Sequence, residues 1–395
     1  MKTKALALVL ALAALMLFAP VLGAEEGLTD TEIHIGQWGP QTGPAAPWGA
    51  VARGTGVYFD MINAKGGING RKIVYHMFDD AYNPAKTKAG VKELQESVGI
   101  FAWVGGVGTA PGLAVEDYLM ERKVPWVGPA AGSMHWITPP QKYLFAVYPL
   151  YFIEAKALVR YAVRHMQKKK VAIIYQNDDY GKNGVEGAKE QLKVFGMDLV
   201  AEVPVEITDS DLKPHVMQLR RSEADCVLLW VSPKHAVMTV GTAKAMQFAP
   251  QFMSTSTCSD YTLMYKISNG LWEGVICTNF GELPDSGSPL MLEYKEAFKK
   301  FAAKDERWGT FFLAGFGFAE PLVAGLMSCG KDLTREKLVA QMEKLKNFQG
   351  IMGKVTYKPF DVNDPNCRQG QHEVFLTQCG KDGAVIPISG WMEIR

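Results

Sequence analysis

The sequence predicts an α/β protein of two lobes, each a mainly parallel sheet flanked by helices, joined by a multi-strand hinge. Three observations carry the prediction. Apolar strands alternate with amphipathic helices, the mark of parallel α/β architecture. The pattern then starts again near Tyr151. The last 120 or so residues form no third repeat of their own, so they are expected to complete both lobes. The chain has 395 residues, 48% hydrophobic and 21% charged, which is ordinary globular composition and enough for two domains.

In the first set, Ile33–Trp38 is a strand and the segment from about Trp48 to Ala64 a helix. Gly66-Gly67-Ile68-Asn69-Gly70 is a turn, Lys72–Phe78 a strand and Asn83–Ser97 a helix. Phe101–Val107 is a strand, Ala110–Arg122 a helix and Val124–Gly128 a strand. The second set opens with a helix at Tyr151–Met166 and a strand at Val171–Tyr175. A helix near Gly184–Phe195, a strand at Leu199–Val205 and a helix at Leu212–Arg221 follow, then the strand Cys226–Val231 and the helix Lys234–Met246. The remainder reads as a strand at Glu273–Asn279, helices at Pro289–Ala302, Gly309–Ser328 and Arg335–Leu345, and short strands at Val355–Lys358 and Glu373–Gln378. Several crossings between lobes follow, hence a hinge and a cleft. The expected first lobe is 25–146 plus 278–352, and the second is 147–277 plus 353–395.

Lys2 and Lys4 precede an unbroken apolar run, Ala5 to Ala19, and small residues at 21–24 lead into Glu25-Glu26. This pattern predicts a secretory signal over 1–24, cleaved after Gly23 or Ala24, and a periplasmic protein. Its run is shorter than the roughly 20 apolar residues of a spanning anchor. No Cys stands at the junction to carry a lipid. A second apolar stretch, Phe311 to Gly330, holds Glu320 and Pro321 in its middle and reads as a buried helix, so the mature chain is not expected to span a membrane. Lys+Arg is 42 against 41 Asp+Glu, and removing Lys2 and Lys4 leaves 40 against 41. That balance argues against nucleic-acid or basic membrane-surface binding. Six cysteines lie in the second half, and an exported chain permits disulfides. Cys367 and Cys379 flank one strand and are the expected pair; Cys226 reads as a buried strand residue.

Signatures of catalysis are missing: no G-x-S-x-G, H-E-x-x-H or Walker A motif occurs. Gly105-Gly106-Val107-Gly108-Thr109-Ala110-Pro111-Gly112 breaks the dinucleotide pattern, because Pro111 stands where the third Gly belongs. No enzyme activity, metal or cofactor is therefore expected. Ligands of open α/β sheets sit beyond the carboxyl ends of strands, where a helix N-terminus favours an anion. Two neighbouring junctions fit this, Gly108-Thr109 and Ala130-Ala131-Gly132-Ser133. Each combines small residues with a hydroxyl, and together they read as a clamp for a carboxylate. Helix capping by Thr109 and Ser133 is the competing reading.

Further motifs carry a resemblance. Thr42-Gly43-Pro44, Trp48-Gly49, Ile62-Asn63-Ala64-Lys65-Gly66-Gly67-Ile68-Asn69-Gly70 and Asp79-Asp80 stand in the first lobe, with Val124-Pro125. Asp178-Asp179-Tyr180-Gly181 and Asp332-Leu333-Thr334-Arg335-Glu336 follow. Over nearly the whole mature chain this resembles the periplasmic leucine/isoleucine/valine-binding protein family. The resemblance implies a type I periplasmic binding fold, a monomer that closes on a small ligand and delivers it to the permease of an ABC importer. It places carboxylate contacts at Gly108, Thr109, Ala130, Ala131 and Ser133, and aromatic contacts at Trp48 and Tyr180. Tyr151 joins them as an aromatic near the hinge, with His135, Trp136, Tyr148 and Phe152 adding bulk close by.

One departure bears on the ligand. Amino-acid-binding relatives place an acid after the fifth strand of the second lobe. Here that loop reads Met253-Ser254-Thr255-Ser256-Thr257-Cys258, with Ser256 at the acid's place and Asp260 displaced, reading as a helix cap. A buried ammonium without a carboxylate is costly. The expected ligand is a hydrophobic amino acid or a related aliphatic or aromatic acid, with the loop favouring a ligand that lacks a free α-amine. A sensor domain of the same fold and a secreted enzyme are the alternatives. The first lacks an attached output domain, the second any catalytic signature.

Overall fold

The computed structural model describes residues 25–393. The expected signal segment, 1–24, lies outside them. Fifteen strands are numbered in chain order. In the first half they are β1 (Glu32–Trp38), β2 (Lys72–Phe78), β3 (Ala102–Val104), β4 (Trp126–Val127) and β5 (Leu144–Phe145). Next come β6 (Val171–Gln176), β7 (Ala201–Val205), β8 (Cys226–Trp230), β9 (Gln251–Ser254) and β10 (Ile276–Asn279). The last are β11 (Phe348–Gly350), β12 (Gly353–Val355), β13 (Glu373–Cys379), β14 (Val385–Pro387) and β15 (Met392–Glu393).

The first sheet runs β2-β1-β3-β4-β5 with every pair parallel. The second runs β14-β13-β10-β9-β8-β6-β7. It is parallel from β7 to β10 and antiparallel where β13 joins β10 and receives β14 and β15. The late chain therefore returns to the second sheet, as the missing third repeat predicts. Helices Pro289–Phe301 and Thr310–Cys329 serve the first lobe, where both pack on the Ala50–Ala64 helix. Of the twenty residues of Thr310–Cys329, sixteen are buried, which accounts for its apolar composition without a membrane.

Parallel strands buried on both faces read as continuous apolar runs, and CVLLW of β8 is wholly buried. The first-lobe core is unusually aromatic: Trp38, Trp103, Trp126 and Trp136 are fully buried, and Trp38 lies against both Trp103 and Trp126. Some elements differ from expectation. The helix expected near Gly184 begins at Asp179, because Asp178 accepts from the Gly181 N–H at 3.2 Å and caps it there. The strand expected at Val355–Lys358 is the second arm of the β11–β12 hairpin.

All six cysteines are buried and free. The expected Cys367–Cys379 pair is corrected by extension. Cys379 ends a seven-residue strand that Cys367 precedes. At about 3.3 Å per residue this separates them by more than the roughly 7 Å a bridge allows.

Glu320 is a fully buried acid in the first-lobe core, accepting from Tyr294 Oη at 2.5 Å and from the Ile351 N–H at 2.9 Å. Burial raises its pKa from 4.5 to about 7, against the pull of those two donors. Between those values the folded chain keeps a proton that the unfolded chain releases. Stability is therefore expected to fall as pH rises from 4.5 to about 7, by roughly 3 kcal/mol at most. Urea midpoints across that window check it, and Glu320→Gln should flatten the slope.

Candidate functional site

The two lobes meet across a cavity that both of them line. Strand ends build it. β3 and β4 are parallel neighbours, and the ladder extends past them through the Val107–Ala130 bridge. The Gly108 N–H donates to Ala130 O at 3.3 Å and the Ala130 N–H to Gly106 O at 3.2 Å. The two junctions chosen from sequence thus lie side by side, and Gly108 and Ala130 both line the cavity.

Tyr82 lines the same side from the loop after β2, above Gly108. Phe311, Ala314 and Phe318 line it from one face of the Thr310–Cys329 helix, with Val51, Val107 and Thr310. The second lobe contributes Tyr151, Tyr180, Ser256 and Thr257, and Tyr148 and Phe280 come from the crossing segments. Among the described residues no charged side chain lines this space. It is an apolar chamber, with Tyr151 edge-on to both Tyr148 and Tyr180.

The cleft is closed. Trp48 Nε1 donates to Thr257 O at 2.8 Å, and the Met134 N–H donates to Asn183 Oδ1 at 3.0 Å. Asp260 accepts from the Phe311 N–H at 3.2 Å across the cleft and from the Leu263 N–H at 3.1 Å in its own lobe. The displaced acid is therefore a cap, as expected, and it caps helices of both lobes.

Of the expected contacts, Trp48, Gly108, Ala130, Tyr151, Tyr180 and Ser256 line the cavity. Thr109, Ala131 and Ser133 stand off the lining. Ser133 Oγ caps the short turn Met134–Trp136, accepting from the His135 N–H, and Ala131 O accepts from Trp136 Nε1. These two are committed to local structure. Thr109 differs: it opens the Thr109–Glu121 helix, is fully buried, and its hydroxyl has no partner among the described residues. Among the described residues no side chain caps that helix. Its N-terminus therefore offers free donors beside Gly108, where an anion is favoured. Trp48 and Tyr180 act as walls, since Trp48 Nε1 is bonded to Thr257 O and Tyr180 Oη to Thr257 Oγ1 at 2.8 Å. His135, Trp136 and Phe152 stay off the lining, whereas Tyr148 is on it.

Behind Ser256 stands a group that sequence reasoning missed. Glu154, in the first turn of the Tyr151–Arg164 helix, is fully buried. It accepts from Thr255 Oγ1 at 2.8 Å, the Ser256 N–H at 2.8 Å, Ser256 Oγ at 2.9 Å and the Thr278 hydroxyl. Burial raises its pKa, and those donors oppose the shift. The signal was an acid on an apolar stripe, three residues after Tyr151 and four before Leu158. The loop thus lacks an acid at the cavity surface and has one a single hydroxyl behind it. Among the described residues no three His, Cys, Asp or Glu side chains converge as a metal site would need.

The profile of the periplasmic binding protein family matches residues 32–384. The chain belongs to that family. This periplasmic binding protein has relatives over most of its length that are named Leu/Ile/Val-binding proteins. It is 27% identical over 352 residues to a Leu/Ile/Val-binding protein of Rhizobium johnstonii, covering 88% of this chain and 91% of that one. Two solved structures share its fold. A fatty acid ABC transporter substrate-binding protein of Thermomonospora curvata superposes with TM-score 0.83 at 22% identity, covering 93% and 94% of the two chains. A branched-chain amino acid ABC transporter protein of Thermus thermophilus with bound valine gives 0.82 at 18%, covering 92% and 97%. The type I two-lobed architecture expected from the sequence is therefore the fold of this binding protein.

Proposed function

We propose that the protein captures a small apolar ligand carrying a carboxylate, a hydrophobic amino acid or a related aliphatic or aromatic acid. It does so as a monomer in the periplasm and hands the ligand to the permease of an ABC importer. The reading rests on one observation: an aromatic interlobe chamber that meets an uncapped helix N-terminus, with the unpartnered, fully buried Thr109 hydroxyl beside it. The apolar walls take the ligand's body and the helix end takes its carboxylate. Valine and a fatty acid, the ligands named for the two structural neighbours, are both of this chemistry. The lobes that close on it are 25–146 with 278–352 and 147–277 with 353–395. Signal cleavage near Gly23 or Ala24 fits the same role.

Thr109→Val tests the carboxylate end. It keeps the shape and removes the hydroxyl, so affinity for the best carboxylate ligand should fall by about 1–3 kcal/mol while the urea midpoint holds. Ser133→Ala, which removes a cap, should lower stability more than affinity. Titration calorimetry on the two variants separates these outcomes. Unchanged affinity in Thr109→Val would remove the hydroxyl from the site.

A further inference from the structure

The cavity wall at Ser256 has a fixed hydrogen-bond polarity, and Glu154 fixes it. The Glu154 carboxylate holds four donors, and among the described residues no lysine, arginine or histidine pairs with it. A carboxylate only accepts, so the single hydroxyl hydrogen of Ser256 is turned away from the cavity toward Glu154. Tyr148 Oη lies 2.6 Å from Ser256 Oγ. With the serine hydrogen spent, the tyrosine must be the donor in that contact. Both residues line the cavity, and each hydroxyl has only lone pairs left to offer.

We infer that Glu154, acting through Ser256 and Tyr148, makes this wall an acceptor-only surface that selects a ligand carrying an ammonium there. The inference rests on the proposed reading of the cavity as a site for an apolar carboxylate. It reverses the preference that the loop sequence suggests for a ligand without an α-amine. A keto or second carboxylate oxygen at this wall meets lone pairs and a negative charge one hydroxyl behind them. An ammonium meets acceptors, and the buried carboxylate supplies the opposite charge that Ser256 alone lacks. The helix end at Gly108 is the donor pole of the same chamber, so the two poles together describe an apolar α-amino acid. Glu154 is a positioning residue here, since it stands behind the lining.

Glu154→Gln predicts an inversion, not merely a loss. Its amide oxygen still accepts from the Ser256 N–H, while its NH₂ donates to Ser256 Oγ. The serine hydrogen is then released toward the cavity, where it can donate to a ligand oxygen. The experiment titrates L-leucine against 4-methyl-2-oxopentanoate, and L-phenylalanine against phenylpyruvate, on the wild-type full mature chain and on Glu154→Gln. In the wild type at least one amino acid should bind about tenfold or more tighter than its keto acid, and in the variant that ratio should fall to about one or below. A uniform structural loss moves both members of a pair together and leaves the ratio where it was, which overturns the inference. Keto acids binding the wild type as tightly as amino acids also overturn it, while leaving the carboxylate site intact. If neither pair binds the wild type, the proposed ligand class itself fails and the inference falls with it. Where Glu154→Gln does not fold, Ser256→Ala replaces it. That variant removes the acceptor and should shrink the ratio through weaker amino-acid binding, with keto-acid affinity held within about twofold. An unchanged ratio there contradicts the inference.

Discussion

Gly108→Ala should cost ligand affinity by well over a factor of ten and lower stability by about 2–4 kcal/mol. Gly108 holds φ +101° and ψ 144°, a region that residues with a Cβ rarely adopt. A Cβ there would lie 2.4 Å from the ring of Tyr82 and 3.0 Å from Pro111 Cδ. Relief means moving Tyr82, whose ring is a cavity wall and packs on Trp48, the residue that bonds Thr257 across the cleft. The substitution therefore strains the backbone, narrows the chamber and hinders closure together. Urea unfolding and calorimetric titration measure the two effects separately. A variant that binds normally would mean that the ligand does not sit at this junction.

Asp260→Ala is the second large effect, expected at about 2–4 kcal/mol in total. Its carboxylate accepts from Leu263 within its lobe and from Phe311 at the N-terminus of a twenty-residue helix in the other. The first bond exists open or closed; the second exists only when the cleft is shut. Part of the loss therefore appears as lower stability and part as weaker closure. Gly309→Ala isolates the second part. Its backbone is extended and accepts any residue, but the added Cβ would lie 2.4 Å from Asp260 Oδ2. That variant should raise the radius of gyration measured by small-angle scattering and lower affinity by about 1–2 kcal/mol, with little change in unfolding. A scattering profile identical to wild type would remove Asp260 from the closing mechanism.

The long strands and helices were legible because their apolar periodicity extends over many residues. β5 and β15 have two residues each and β14 three, too short to show any period. At the site, the rule of small residues after a strand found Gly108 and Ala130. It passed over Tyr82, which follows β2 in the same position but is large and sits at φ 59°. Phe311, Ala314 and Phe318 were legible as helix core, and nothing local marks the stripe that faces a chamber. Glu154 was visible as an acid on an apolar face. Its partners lie a hundred residues on, in the loop Thr255-Ser256 and at Thr278, so no spacing in the sequence joins them. The serine loop alone suggested a wall without charge, because the acid belongs to a different element.

The measurement that tests the account most directly compares apolar carboxylates with their methyl esters in thermal unfolding of the mature protein. L-leucine, L-phenylalanine and their keto acids form the carboxylate set. A ligand present at about 100 times its dissociation constant adds about 2.7 kcal/mol of stability. At least one carboxylate should raise the melting temperature saturably, and its ester, which has lost the anion that the helix end at Gly108 favours, should not. Equal stabilisation by acid and ester, or none by any acid in the set, would contradict a cavity built to hold a carboxylate.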